Sequence, residues 1–197
     1  DCLLVVGIYT EESRCPRSLK DLDLDGEIDL VLKRPEFKAS IGEIADAGDN
    51  ILVVGLGSRS ESSLQALRKA SASLLRRLDR RKEKKVLLEI SRSVTARTGS
   101  REELGQSIAE GMALANWRYS RFDGEASKKE SFSGKLELMA TDREVKKGLK
   151  RGLLIAEAVN AAREVASTPP NIANPEWLLK EAKRLGKVFG FSVNEIN

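Results

Sequence analysis

The sequence predicts an α/β fold, a mixed or largely parallel sheet flanked by helices, and three observations predict it. Short apolar runs of strand length recur along the chain, helical patterns of three- and four-residue spacing lie between them, and a proline-rich stop follows one unusually long helical pattern. The 197 residues are 41% hydrophobic and 32% charged, enough apolar material for a buried core and the wrong composition for disorder. The same length suits one ordinary domain with an appendage.

The elements follow in chain order. Leu3 to Tyr9 is a continuous run rich in Val and Ile and reads as a buried strand. Asp21, Asp23, Asp25 and Glu27 then resemble the start of a calcium loop, with Gly26 in its sixth position. Leu32 stands where the bidentate glutamate belongs, so this is read as an acidic turn before a helix, not a metal site. Asn50 to Gly57 is the second strand. Its Gly55-Leu56-Gly57 ending suggests a dinucleotide fingerprint, but Ser60 occupies the place of the third glycine and a tight turn is the simpler reading. Ser58, Ser60 and Ser62 sit where backbone donors at a helix start would meet an anion.

Ser62 to Leu78 carries Leu64, Leu67, Ser71, Leu74, Leu75 and Leu78 on one helical stripe. The end of this helix is basic: Arg76, Arg77, Arg80, Arg81, Lys82, Lys84 and Lys85 oppose only Asp79 and Glu83. Two readings stand side by side, a phosphate-contacting patch through Arg76, Arg77, Arg80, Arg81 and Lys82, and cations that favour a helix C-terminus. No aromatic residue is interleaved to stack on bases. Val86 to Ile90 is the third strand, and Ser100 with Glu103 forms a capping box ahead of Leu104, Ile108 and Met112. Trp117, Tyr119 and Phe122 cluster after that helix and suit an interface or a core edge, aromatic residues being only 5% of the chain.

Lys135 to Met139 alternates like an edge strand. Thr141 with Glu144 predicts a second capping box opening a helix with Val145, Leu149, Leu153, Ala156 and Val159. That helix reaches about Ala166, roughly 38 Å at the standard rise, and its length marks a connector. On it Glu157, Asn160 and Arg163 make a polar seam suited to a partner subunit or a further domain. Thr168-Pro169-Pro170-Asn171 stops the helix and Asn174-Pro175-Glu176 starts another. Val188 to Val193 is read as a closing strand. One helix and one strand cannot enclose a core, so residues 168–197 read as the opening of a further domain.

Several classes are excluded. The chain has no histidine, which removes every His-dependent triad and the commonest zinc ligand. It has no apolar run long enough to cross a bilayer, and Asp1 followed by Leu3-Leu4-Val5-Val6 is not read as a signal peptide. Two cysteines, Cys2 and Cys15, are too few for a disulfide framework and are expected to be reduced in the cytoplasm. A net charge of +4 permits nucleic-acid contact without implying it.

One stretch is specific. Asn160-Ala161-Ala162-Arg163-Glu164-Val165, then Ser167-Thr168-Pro169-Pro170-Asn171 and Asn174-Pro175-Glu176, resembles the junction between the two domains of leucyl aminopeptidases. There an Asn-x-x-Arg-x-Leu stretch leads into Asn-Thr-Pro-x-Asn and a helix starting Pro-Glu; here Val165 replaces Leu and Ser167 replaces Asn. Val53-Val54-Gly55-Leu56-Gly57, Ala109-Glu110-Gly111 and Trp117-Arg118-Tyr119 resemble weaker stretches of the same amino-terminal domain. The resemblance implies a macro-domain-like amino-terminal domain over residues 1–141, a connector helix over 142–167 and the truncated beginning of a catalytic domain over 168–197. It also implies a parent enzyme that removes amino-terminal residues from peptides with two divalent ions, zinc or manganese, held in the catalytic domain. That domain's Asn-Thr-Asp-Ala-Glu-Gly-Arg signature is absent here, so no catalytic or metal-binding residue is assigned and the chain alone is expected to be inactive.

Members of that family are typically homo-hexamers. The implied partners are therefore the catalytic domain and sister subunits, with Trp117, Tyr119, Asn160 and Arg163 as candidate contacts. DNA is a lesser candidate, and no membrane is expected. The alternative reading is a free-standing macro-like or DNA-binding module without peptidase activity.

Overall fold

The computed structural model describes residues 2–119 and 136–196. Five strands, β1 (Leu3–Ile8), β2 (Ile44–Ala47), β3 (Ile51–Gly55), β4 (Lys85–Leu88) and β5 (Glu137–Met139), form one sheet in the order β2-β3-β1-β4-β5. β1 pairs in parallel with both β3 and β4, β5 is parallel to β4, and β2 is antiparallel to β3. Among the described residues five α-helices accompany them: α1 (Glu27–Leu32), α2 (Leu64–Arg81), α3 (Arg101–Asn116), α4 (Arg143–Ser167) and α5 (Pro175–Phe189).

Alternation along the central strands divides the core in two. Leu3 and Val5 of β1, Leu52 and Val54 of β3, and Val86 and Leu88 of β4 pack against α2, α3 and the first half of α4. Val6, Ile8 and Val53 face the other way, onto Ile28 and Val31 of α1, with Leu19 and Phe37. A strand covered on both faces must be apolar at odd and even positions alike, which is why β1 and β3 read as unbroken runs.

The helical stripes fall as expected on α2, where Leu67, Ser71, Leu74, Leu75 and Leu78 are buried, and on α3, where Leu104, Ile108 and Met112 are buried. The Ser100–Glu103 capping box is present, with Glu103 Oε2 accepting the Ser100 N–H at 2.8 Å. α4 runs for 25 residues, as its pattern predicts.

Its inner face differs from the expected stripe. Val145, Gly148, Leu149, Gly152 and Ala156 are buried, whereas Leu153 and Val159 are exposed. Gly148 lies against the carbonyl of Glu102 and Gly152 against that of Gln106, so α3 and α4 approach backbone to backbone and the phase is set by the glycines. Lys147 and Arg151 clasp Glu102 across the same seam, at 2.7 and 3.4 Å.

Three further features depart from expectation. The Thr141–Glu144 capping box does not form. Asp142 Oδ1 accepts the N–H groups of Glu144 and Val145 at 2.8 and 3.1 Å, and the Thr141 N–H is taken by buried Glu89 at 2.9 Å. Asp142 is one residue nearer the helix and reaches the same donors with a charged oxygen.

The strand expected over Val188 to Val193 is also absent. Val188 and Phe189 complete α5, Gly190 turns into the left-handed region at φ 77°, and both Gly190 and Phe191 donate to the Gly186 carbonyl. The apolar run straddles a helix cap, and Gly190 is the residue that such a cap prefers.

β2 had no counterpart in the sequence reading. It is four residues long with Asp46 inside it, and only the Gly48-Asp49-Asn50 turn announces its hairpin with β3.

The chain divides into two compact units, Asp1–Ala158 and Val159–Asn197. In the second, Asn174 caps α5 by accepting the Trp177 N–H at 2.9 Å, with Pro175 at its first position. Val188 is 62% exposed, Phe189 65% and Phe191 51%, so much of this unit's apolar surface is uncovered.

Candidate functional site

Open α/β sheets bind ligands beyond the C-terminal ends of their strands, where neighbouring connections diverge. Here that place lies above β1, β3 and β4, where a chain of hydroxyls runs between the loops. The Tyr9 hydroxyl is 2.7 Å from Ser62 Oγ, which is 2.7 Å from Thr98 Oγ1, and Thr98 is 3.1 Å from Thr95. This hydroxyl chain links the loops that follow all three strands. The Arg59 guanidinium lies 4.6 Å from the Tyr9 ring centroid and pairs with Glu12, whose other oxygen accepts the Tyr9 N–H at 2.9 Å.

Of the serines expected to receive an anion, Ser58 already holds one. Glu11 accepts from Ser58 Oγ at 2.7 Å and from the Arg59 N–H at 3.0 Å. The Ser58 hydroxyl, and behind it the Arg59 backbone, hold this exposed carboxyl below its usual range. Gly55-Leu56-Gly57 is a tight turn, with Gly57 at φ 75° and its N–H bonded to the Ala39 carbonyl at 2.9 Å.

The acidic stretch is likewise engaged in structure. Asp23 Oδ1 accepts the Ile28 N–H at 2.8 Å, Asp29 accepts the Cys15 N–H at 2.5 Å, and Asp21 makes a two-pronged pair with Arg92 at 2.7 and 3.0 Å. Among the described residues, no three Cys, Asp or Glu side chains converge as a metal site would require. Both cysteines are free thiols, Cys2 ahead of β1 and Cys15 beyond its far end. Burial and then the nearby Asp23 charge push the Cys15 thiol up to about 12.

The basic run at the end of α2 is split by a residue the sequence reading did not weigh. Asp46 of β2 pairs with Arg77 and, at 2.7 Å, with Arg81. Arg81 also holds Glu83 at 3.1 Å and the Asp49 carbonyl at 2.9 Å. Lys85 pairs with Glu137 at 3.3 Å, and Lys82 forms the left-handed C-cap at φ 56°. Arg76 and Arg80 are exposed, carry no carboxylate partner among the described residues, and line an open groove with Gly42, Ile44, Ser73 and Arg77.

Trp117 caps the C-terminus of α3, and it and Tyr119 are half-buried; Phe122 and Lys135 lie outside the described residues. In the second unit, Arg163 Nη1 donates to Asn160 Oδ1 at 3.3 Å, while Glu157, one turn earlier on α4, is exposed. Sequence reasoning also missed the Arg68–Glu110 pair at 2.6 Å, which joins α2 to α3 with Gln106 donating to the second oxygen at 2.6 Å. An i,i+4 Gln106–Glu110 spacing was its only local signal.

Comparisons with known proteins agree with this architecture. The amino-terminal domain model of the cytosol aminopeptidase family matches residues 5–126. A probable cytosol aminopeptidase of Aquifex aeolicus is 32% identical over 166 residues, covering 81% of this chain and 32% of that protein. Another, from Clostridium perfringens, is 28% identical over 203 residues, covering 96% and 39%. A solved structure of a tomato leucine aminopeptidase mutant superposes over 96% of this chain and 40% of its own, with TM-score 0.72 at 24% identity. The bottromycin maturation enzyme BotP in complex with Mn gives TM-score 0.67 at 20% identity over 95% and 36%. At these identities the superpositions show the fold. The chain spans roughly a third to two fifths of the length of these relatives.

Proposed function

Because the chain belongs to the cytosol aminopeptidase family and matches its amino-terminal domain, we propose that it is the accessory and assembly portion of a two-metal aminopeptidase. The parent would remove amino-terminal residues from peptides in the cytoplasm, working as a homo-hexamer. The match of the family's amino-terminal model to residues 5–126 carries this reading. In the proposed division, residues 1–141 form the accessory domain, 142–167 the connector and 168–197 the beginning of the catalytic domain. The uncovered apolar residues Val188, Phe189 and Phe191 support a segment that packs against further chain.

The two divalent ions, zinc or manganese, belong to the catalytic domain in this reading, because this chain's residues do not fit such a centre. It has no histidine, and Asp21, Asp23 and Asp29 are already bound to Arg92, Ile28 and Cys15. What these residues supply is scaffold: a rigid sheet, the α3–α4 seam, and the candidate contacts Trp117, Tyr119, Asn160 and Arg163 toward the catalytic domain or sister subunits. Ser60 in place of the third fingerprint glycine, and Gly55-Leu56-Gly57 closed as a tight turn, favour this over a free-standing nucleotide-binding module.

Hydrolysis of leucyl-anilide in added manganese or zinc tests the proposal, alongside the intact mass of the native product. Activity in a product much heavier than 21.7 kDa, with the 197-residue chain inert, supports it. A native product ending at Asn197, or one whose continuation lacks carboxylate and lysine ligands, overturns it.

A further inference from the structure

The open groove beside α2 is not absorbed by a scaffolding role. Ser73, Arg76, Arg77 and Arg80 occupy positions i, i+3, i+4 and i+7 of α2 and so share one face, opposite Gly42 and Ile44 at the start of the β2 hairpin. Asp46 holds the Arg77 guanidinium by one terminal nitrogen, while Arg77 Nε is buried with no acceptor among the described residues. A buried donor left without a partner is costly, so Arg77 gains from a small shift that lets Nε reach an acceptor in the groove the residue lines.

Three further side chains line it. Arg76 and Arg80 are one helical turn apart, so their like charges repel until an anion lies between them. Ser73 Oγ has no hydrogen-bond partner among the described residues. Gly42, at φ 78°, keeps it uncovered, since a Cβ there would lie 2.6 Å from that oxygen.

We propose that this groove is an oxyanion subsite taking a phosphate group of a small soluble ligand. Arg76 and Arg80 supply the charge, and Arg77 Nε–H and the Ser73 hydroxyl fix the orientation. Guanidinium forks match the tetrahedral oxygens of phosphate, and a dianion neutralises together the two arginines that lack a carboxylate partner, Arg80 giving only its Nε–H to the Arg76 carbonyl. Lys69, Lys82 and Lys84 are also exposed, but they do not line the groove. Arg81 is turned into Asp46 and Glu83, Lys85 is paired with Glu137, and the groove has no aromatic lining for a base to stack on. That geometry favours a compact anion over a nucleic-acid backbone.

Arginine Nε–H resonances of the chain, followed during titration with inorganic phosphate at constant ionic strength, provide the test. The expected result is a saturable shift of the Arg77 Nε–H signal. Arg76→Gln with Arg80→Gln weakens it at least roughly tenfold, Ser73→Ala weakens it less, and Lys84→Gln leaves it unchanged. Both arginines are exposed, so the double variant keeps the fold, and Ser73→Ala gives an independent reading of the same site. A shift that does not saturate, or that survives the double variant and Ser73→Ala alike, overturns the proposal. So does a short DNA duplex that moves these signals when phosphate does not, which would assign the patch to nucleic acid.

Discussion

At the scale of single residues, the structure turns on charged groups placed where only backbone can answer them. Glu89 is 2% exposed and its carboxylate binds the Thr141 N–H, tying the end of β4 to the turn before α4. Glu89→Ala leaves that amide without its partner and opens a void, and is expected to lower the unfolding free energy by about 2–3 kcal/mol in urea melts. Cys15 is 7% exposed, and burial with the Asp23 charge raises its thiol to about 12. At pH 8 almost none of it is thiolate, the reactive form. Iodoacetamide should therefore modify Cys2 in the folded chain and reach Cys15 only after denaturant is added. Equal rates in native buffer, read by peptide mass mapping, would refute the buried placement.

Elements are decided by competition among nearby signals. Thr141 and Asp142 both suit a helix start, and the carboxylate prevails because it adds charge at the positive end of α4. Asp142→Ala is expected to cost about 1 kcal/mol and Thr141→Ala much less, since Thr141 contributes its backbone N–H and not its side chain. Thermal unfolding of the pair distinguishes the two, and a larger loss from Thr141→Ala would restore the capping-box assignment. The same competition ended α5. Val188-Phe189-Gly190-Phe191 has strand composition, but Gly190 closes a helix cap on the Gly186 carbonyl at 2.8 Å. Composition alone cannot report the phase of an apolar run, whereas a glycine able to adopt positive φ does.

At the scale of the molecule, stability is unevenly distributed between the two compact units. The first contains both hydrophobic clusters, centred on Val5, Leu52, Leu74 and Ile108 on one face and on Val6, Ile28 and Val53 on the other. The second buries little beyond Thr168 and Gly186. Opening free energy follows buried apolar area, so amide exchange in α5 of the isolated chain should be at least a hundredfold faster than in β1, β3 and α2, corresponding to roughly 3 kcal/mol. Protection of α5 equal to that of β1 would mean that this segment is stable without further chain, and would weaken the accessory-domain reading.

The sequence by itself determined the elements whose signals are local and redundant: the doubly covered strands β1 and β3, the strand β4, the α2 and α3 stripes, the Ser100 cap, the length of α4 and the junction at Thr168-Pro169-Pro170. Periodicity and cap chemistry operate within a few residues, and all of these lie inside that range. The tertiary structure decided what depends on partners far away in the chain. It paired Asp46 with Arg77 and Arg81 across more than thirty residues, linked Tyr9, Ser62 and Thr98 beyond the strand ends, and joined Glu89 to Thr141. It also set the face of α4 through Gly148 and Gly152, where backbone contact leaves no hydrophobic pattern to read. Electrostatic pairing and close backbone approach depend on distance in space, and distance along the chain does not encode them.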